Sequence, residues 1–277
     1  MTANGQLSWF QIVRLGLVQS ALGAVVVLTT STINRVMVVE LAVAATIPGA
    51  LVALHYAVQI LRPRLGHGSD SGGRRTPWII GGMAVLALGG VGSAAATALM
   101  ATHFLAGLAL AMLAFVAVGI GVGAAGTSLL TLLAVQVAPE RRAPAATILW
   151  TMMIASFVLT TVTAGHFLDP FSLPRLISVT ASVASLAFVV TVIALAGIER
   201  SPAQRPAIPN VAGTTQNQVR FSAALATIWS EERTRRFTIF VFASMLAYSA
   251  QDLILEPFAG KVFGLTPGAS TQLSGVQ

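Results

Sequence analysis

Histidine is the side chain in this sequence with the broadest ligand chemistry, and His55 has the most informative position. It lies inside the apolar stretch LVALHYAVQI, directly before Tyr56 and one helical turn before Gln59. A neutral imidazole nitrogen can ligate a metal ion, and a nearby hydroxyl and amide can add hydrogen bonds. These three residues form a candidate ligand-binding set. The commoner role for such a histidine is a hydrogen bond to a neighbouring helix.

Two further histidines are weaker candidates of the same type. His103 and His166 fall at the edges of long apolar stretches, where a membrane helix would meet water. Side chains that are apolar at one end and polar at the other collect at that boundary. Both residues therefore remain secondary ligand candidates, with an interfacial position as the commoner alternative.

A second polar set stands between the first two apolar runs. It consists of Asn34, Arg35 and Glu40. The arginine and the glutamate are five residues apart across an expected turn, so a local ion pair is the default interpretation. Contact with the polar edge of a bound client molecule is the alternative.

A third polar set interrupts the last long apolar run. Gln251, Asp252 and Glu256 occur there, and the two carboxylates are four residues apart and would share one helix face. Ionisable groups inside a membrane are costly and tend to be functional. Asp252 is therefore a candidate for gating or client contact, whereas Glu256, directly before Pro257, is expected to be solvated near the outer membrane surface.

The polar stretch GHGSDSGGRR at 66–75 has a recognisable pattern of glycines and charges. Glycine permits a tight turn between antiparallel helices, an aspartate can cap a helix N-terminus, and arginines anchor a loop in the cytoplasm. The alternative is a glycine-rich turn whose arginines only set the topology. The pattern resembles the loop signature of the major facilitator superfamily, which implies a latch between two six-helix halves, built here from Gly66, Asp70, Gly73, Arg74 and Arg75.

The elements that carry these residues are long apolar runs. Hydrophobic residues make up 55% of the chain and charged residues only 9%, far from the composition of a soluble domain. Runs of 18 or more apolar residues are candidate membrane helices, because only helices satisfy their own backbone in lipid. They lie at about 12–33, 41–61, 78–101, 104–134, 145–167, 176–197 and 237–256. The sequence therefore predicts an all-α polytopic membrane protein.

The arginines orient this bundle. With the N-terminus in the cytoplasm, the outer connectors hold only Arg35, Arg175 and Lys261, and every other basic residue falls on the inner side or just inside the first span. Positive charge concentrated in the inner loops is typical of membrane proteins. The net charge of +7 therefore reflects topology, and nucleic acid is excluded as a partner because no basic soluble domain is present.

Polar connectors divide the chain into three parts. Residues 1–198 are expected to form an N-terminal bundle of six helices, and 237–277 a seventh span with the start of an eighth. Between them, 199–236 is expected to be a cytoplasmic linker with an amphipathic helix at about 219–232. That helix would lie on membrane lipid or bind a partner. We expect the chain to be the first half, and the start of the second half, of a longer major-facilitator-like protein.

Four stretches carry a closer resemblance. INRVMVVELAV, PGALVALHYAVQILRPRLGHGSDSGGRRTPWIIGGM, PERRAPAATILWTMM and YSAQDLILEPFAGKVFGLTPGASTQLSGVQ are together similar to the PucC/LhaA family of phototrophic bacteria. The resemblance implies an assembly factor for light-harvesting complexes in the bacterial inner membrane, either the cytoplasmic or the intracytoplasmic photosynthetic membrane. It also implies antenna polypeptides and the photosynthetic core complex as partners, and bacteriochlorophyll as a delivered or bound pigment.

The resemblance gives the candidate residues specific expected roles. The magnesium of bacteriochlorophyll accepts one axial ligand, so His55 would supply it, and Tyr56 and Gln59 would bind ring carbonyls. Carotenoid or lipid are further possible ligands. Three functions compete: an assembly factor, a transporter of a hydrophobic or tetrapyrrole solute, and an enzyme of pigment synthesis. The enzyme is disfavoured because the sequence shows no nucleophile–base set, metal cluster or phosphate loop.

Overall fold

Long helices joined by short connections make up the part of the chain that the structure describes. This computed structural model describes residues 7–62, 74–199 and 229–274, without the side chains of Tyr248, Ser249 and Asp252. No strand occurs within those ranges. We number the helices α1 Trp9–Val27, α2 Ile33–Val39, α3 Thr46–Val58, α4 Thr76–Met100, α5 Phe104–Gln136, α6 Pro139–Leu168, α7 Leu173–Leu195, α8 Glu232–Phe263 and α9 Pro267–Ser274.

The first helix is longer than its apolar run. A single π-helical turn, Leu28–Thr32, joins α1 to α2 without a break, giving one rod from Trp9 to Val39. The apolar run ended at residue 33, so the sequence placed Asn34 and Arg35 in a connector. That placement is wrong, because both residues lie inside α2 and both are buried.

Five helices among the described residues are long and apolar enough to cross a membrane. They are the continuous rod Trp9–Val39 and helices α4, α5, α6 and α7. The second predicted span is shorter than expected, since α3 and the 3-10 turn that follows it cover only Thr46–Leu61. The predicted seventh span at 237–256 lies within α8, which begins at Glu232, inside the range expected to be linker.

Side chains lock the helices together at the end predicted to face the cytoplasm. The Arg14 guanidinium donates to the carbonyl oxygens of Ile193 and Ala196, at the C-terminus of α7. Arg141, in the first turn of α6, donates to the Leu7 carbonyl and stacks over the Trp9 ring. Arg14 thereby satisfies orphan carbonyls at the C-terminus of α7, where the helix dipole also favours a cation.

Glu199 closes the same end. Its carboxylate accepts hydrogen bonds from the backbone N–H groups of Arg75 (2.8 and 3.0 Å) and Thr76 (2.8 Å), at the N-terminus of α4. A carboxylate at this position satisfies amides that have no partner within the helix, and the helix dipole stabilises its charge. The end of the predicted six-helix part is thus bound to the beginning of its third span.

Helices α4 and α5 approach closely because glycines line their contact. A Cβ atom on Gly82 would lie 2.6 Å from the Ala125 nitrogen, and one on Gly121 would lie 2.5 Å from the Leu86 nitrogen. Neither distance is sterically allowed. Small residues that let two backbones meet are a general basis of helix packing in lipid. This pair makes the most extensive helix–helix contact in the part of the chain that the structure describes.

Helix α6 does not pack against its chain neighbour α7 over most of its length. It packs along α1 instead, and its last turns meet α9. Asp169, just after α6, accepts hydrogen bonds from the Thr266 hydroxyl (2.7 Å) and the Gly268 amide (3.3 Å), which fixes the start of α9 beside the end of α6. Helix α8 in turn packs against α2.

Candidate functional site

His55 lies on the buried face of α3, against α5. Its side chain is 1% exposed, and a Cβ atom on Gly119 of α5 would lie 2.6 Å from the His55 carbonyl oxygen. The glycine therefore allows the two backbones to touch at this point. Beyond the helix, burial lowers the pKa of the Arg62 guanidinium, but a guanidinium remains charged at neutral pH.

The imidazole of His55 is engaged within its own helix. Its Nε2 lies 2.9 Å from the side-chain amide nitrogen of Gln59, so the amide donates and the ring nitrogen accepts. The Tyr56 ring stands beside it, with the ring centroids 4.5 Å apart. The structure thus brings the three predicted residues together, but in this conformation they do not fit a pigment. Axial ligation through Nε2 would require Gln59 to leave and α3 to separate from α5.

The two secondary histidines occupy helix ends on the surface. His103 directly precedes α5, is exposed, and has its Nδ1 atom 3.1 Å from the Thr102 hydroxyl. His166, in the last turn of α6, is exposed and meets the Phe167 ring edge-on at 5.6 Å. Both are exposed whereas His55 is buried, and the described histidines form no group that could hold a metal ion.

Arg35 is the central residue of a buried polar interface between α2, α8 and α9. The side chain is 1% exposed. Its Nη1 atom lies 2.6 Å from Glu40 Oε1, and its Nη2 atom donates to the Leu265 carbonyl oxygen at 2.5 Å. Gly260 leaves room for it, since a Cβ atom there would lie 3.1 Å from Nη2. The expected Arg35–Glu40 ion pair is present, and the hydrogen bond from Arg35 to Leu265 binds the first helix to the chain after α8.

Hydroxyl pairs extend this interface along the first helix. Ser31 and Ser274 have their Oγ atoms 3.1 Å apart, and the hydroxyls of Thr32 and Thr271 are also 3.1 Å apart. Asn34 donates from Nδ2 to the Leu253 carbonyl at 2.9 Å. We define the polar interface as Ser31, Thr32, Asn34, Arg35, Glu40, Glu256, Thr271 and Ser274.

Glu256 belongs to the polar interface and is not solvated. Its side chain is 1% exposed, and the Ser274 hydroxyl donates a hydrogen bond to it. The expectation that it would lie in water near the outer surface is therefore wrong, because α9 folds back and covers it. Of its two predicted companions, Gln251 is exposed on α8, and the side chain of Asp252 lies outside the described residues.

The sequence contained one signal for this interface that its interpretation did not use. The run LTTST, at the end of an otherwise apolar stretch, places consecutive hydroxyls where a membrane helix would normally carry aliphatic residues. Two of them, Thr29 and Thr30, donate to carbonyls one turn back (Val25 and Val26). The next two, Ser31 and Thr32, pair with α9. Asp169 and Glu199 were also missed, since each acts as a cap for a helix distant in sequence.

The predicted latch loop is described only at its end. Gly66, Asp70 and Gly73 lie outside the described residues, Arg74 is exposed, and Arg75 immediately precedes α4, where its amide binds Glu199. The predicted amphipathic helix at about 219–232 also lies almost entirely outside them.

The polar interface is better suited to holding helices together and to conformational control than to catalysis. Among the residues that the structure describes, no group of three or more histidines, cysteines or carboxylates could hold a metal ion. The buried ion pair and the hydroxyl pairs bind helices to one another. Such paired polar groups hold membrane helices in register, and they can separate and re-form when helices move.

Five membrane-length apolar helices, packed through glycines and through a buried polar interface, define an all-α, multi-pass membrane protein. The family model described as "PUCC protein" matches residues 32–277, and the chain belongs to this family. It is 52% identical, over 274 residues, to "Bacteriochlorophyll synthase 44.5 kDa chain" of Rhodobacter capsulatus, covering 98% of this chain and 62% of that protein.

Two further relatives are more distant. The chain is 30% identical to "Protein PucC" of Cereibacter sphaeroides, over 98% of this chain and 61% of that one. It is also 30% identical to "Uncharacterized protein in puhA-bchM intergenic region" of Rhodobacter capsulatus, over 98% and 58%. The chain therefore spans about three fifths of the length of these relatives.

Proposed function

We propose that this protein is an assembly factor for bacterial light-harvesting complexes, acting in the inner or intracytoplasmic membrane with its N-terminus in the cytoplasm. It binds antenna polypeptides, bacteriochlorophyll or both while the antenna is formed. Membership of the PUCC family carries this proposal, together with a relative whose name contains bacteriochlorophyll.

The lipid-facing surface supports a hydrophobic client. Helix α8 exposes several large apolar side chains near its N-terminal end, and Phe237, Phe240, Phe242 and Met245 are each at least 60% exposed. Single-span antenna polypeptides and pigments are apolar molecules that reach such a surface by diffusion in the bilayer. Carotenoid and lipid can reach it by the same route.

The role proposed is not enzymatic, although one relative's name contains "synthase". The buried charged groups Arg35 and Glu256 are bound to the chain segments packed against them, and no described residue presents an activated nucleophile to a cavity. The polar interface is better suited to holding or releasing helices around a client than to chemistry on it.

A deletion strain tests the proposal directly. Removing the gene should leave total bacteriochlorophyll synthesis in place and abolish the near-infrared absorption of assembled antenna, and the wild-type gene should restore it. Loss of pigment synthesis itself would instead indicate an enzyme.

A point variant tests the pigment-ligand role of His55. Because Gln59 already occupies His55 Nε2, the His55→Ala variant should restore antenna as well as a His103→Ala control does. Failure of His55→Ala alone, in protein that melts at the wild-type temperature, would identify His55 as a pigment ligand.

A transporter of a hydrophobic or tetrapyrrole solute is the second candidate. The observation in its favour is that Arg35 and Glu256 are ionisable and buried within the bundle. Such groups commonly line solute or ion pathways. Movement of a labelled tetrapyrrole into protein-containing vesicles, with antenna assembly unaffected by deletion, would favour this function over the first.

A further inference from the structure

An open groove separates α6 from α7 at the end where these two helices are connected. Its volume is about 500 Å³, within the range of small-molecule sites. The groove exists because α6 turns towards α9, where Asp169 binds Thr266 and Gly268, while α7 remains packed on α4 and α1. Phe167 and Leu186 lie on its walls and are 61% and 65% exposed.

The interior of the groove offers a ligand no hydrogen-bond donor from its hydroxyl groups. Its hydroxyls donate to their own helices: Thr163 to the Leu159 carbonyl, Ser178 to the Arg175 carbonyl and Ser182 to the Ser178 carbonyl. Such back-bonding leaves the groove without free hydroxyl donors. A ligand inside it is therefore held by apolar contact.

One cation stands at the mouth of the groove. Arg175 is in the first turn of α7, where its Nη1 atom donates to the Pro170 carbonyl at 2.5 Å. Asp169, the nearest carboxylate in sequence, faces the other way and is bound by α9. No carboxylate among the described residues forms an ion pair with Arg175, so its charge is available to an anion.

The length of the groove matches one membrane leaflet. Arg175 and Leu186 are eleven positions apart in the same helix, which corresponds to about 16 Å along its axis. The hydrocarbon core of a bilayer is about 30 Å thick, so a leaflet contributes about 15 Å. A lipid with its headgroup at Arg175 would extend its chain along the groove as far as the bilayer midplane.

We propose that the α6–α7 groove is a binding site for an anionic phospholipid of the phosphatidylglycerol type. The phosphate lies against the Arg175 guanidinium, and one acyl chain fills the space between Phe167 and Leu186. This site does not depend on the proposed assembly role, because any protein in an anionic bilayer with this groove would take the lipid.

Native mass spectrometry of the protein purified in mild detergent tests this site. The protein is incubated with phosphatidylglycerol or with phosphatidylcholine of the same chain length, and bound lipids are counted. Wild type should retain phosphatidylglycerol in preference to phosphatidylcholine. Arg175→Gln should lower phosphatidylglycerol binding about fivefold, the contribution of one basic residue at a membrane surface. Arg175→Lys should keep most of it.

Two further variants distinguish the contribution of the Arg175 charge from that of the open volume of the groove. Arg236→Gln removes an exposed arginine of α8 that does not line the groove, and this variant should bind lipid as wild type does. Ser182→Trp should fill the groove and lower binding of both lipids, with its melting temperature measured alongside. Equal binding by Arg175→Gln and wild type would overturn the proposal. So would equal affinity of wild type for the two lipids, or a carboxylated tetrapyrrole co-purifying in place of lipid.

Discussion

At the scale of single residues, Arg35 illustrates how a membrane bundle holds a buried charge. Moving an ion out of water is costly, and the cost is recovered only when its hydrogen-bond partners are well placed. Arg35 has Glu40 on one side and the Leu265 carbonyl on the other. Because these partners come from before and after the long middle of the chain, the charge specifies where α8 and α9 must lie.

Removing the carboxylate partner should therefore destabilise the protein. Glu40→Gln leaves a full positive charge beside a neutral amide, and we expect a loss of about 1–3 kcal/mol, below the value for fully buried pairs because Glu40 is 32% exposed. The measurement is the melting temperature of purified protein in detergent.

A surface ion pair in the same chain provides the control. Glu232 and Arg236 are 64% and 77% exposed, four residues apart in α8. Glu232→Gln should change the stability by less than about 1 kcal/mol. If the two variants melt alike, the Arg35–Glu40 pair does not contribute as described.

At the scale of elements, the sequence predicted which segments are helices far better than where they end. The long runs of α4, α5 and α7 were located to within a few residues, because no charged residue interrupts the apolar runs at 78–101, 104–134 and 176–197. The predicted first span ended before Asn34 and Arg35, because a hydropathy pattern treats each polar residue as exposed to water. Here these residues find partners more than 200 positions away.

The contact between α6 and α9 should be sensitive to a single side chain. A Cβ atom on Gly165 would lie 2.5 Å from the Gly268 carbonyl oxygen, so Gly165→Val must push α9 away. Overpacking of this kind costs about 1–3 kcal/mol, which would appear as a lower melting temperature. Gly81→Val is the matched control, since nothing lies within 4 Å of a Cβ atom there. Equal loss in both variants would mean that valine acts only through helix propensity.

At the scale of the whole molecule, composition was enough to predict the class of fold, and quoted stretches of sequence were enough to predict the family. The polar interface could not be derived in the same way. Its members were assigned to separate regions of the chain, and Thr271 and Ser274 received no role. Pairs such as Thr32 with Thr271 join positions 239 residues apart, and one sequence contains no information about which distant hydroxyls will meet.

The association of the two ends of the chain can be measured with cysteines. The protein has none of its own, so Thr32→Cys with Thr271→Cys creates a unique pair at hydroxyls that are 3.1 Å apart. After mild oxidation and cleavage at a protease site inserted between 200 and 228, the two fragments should stay linked on a non-reducing gel. Thr32→Cys with Thr238→Cys, an exposed position on α8, should release them. Release from both pairs would contradict the arrangement of α9 on the first helix.

The capping of α4 by Glu199 has a consequence for biosynthesis. The amides of Arg75 and Thr76 emerge from the ribosome long before their acceptor, which is 124 positions further along the chain than Arg75. At translation rates of about 5–20 residues per second, the delay is roughly 6–25 s. During that interval the third span must remain inserted with water alone at its inner tip, and the six-helix part can close only after its last residue has been made.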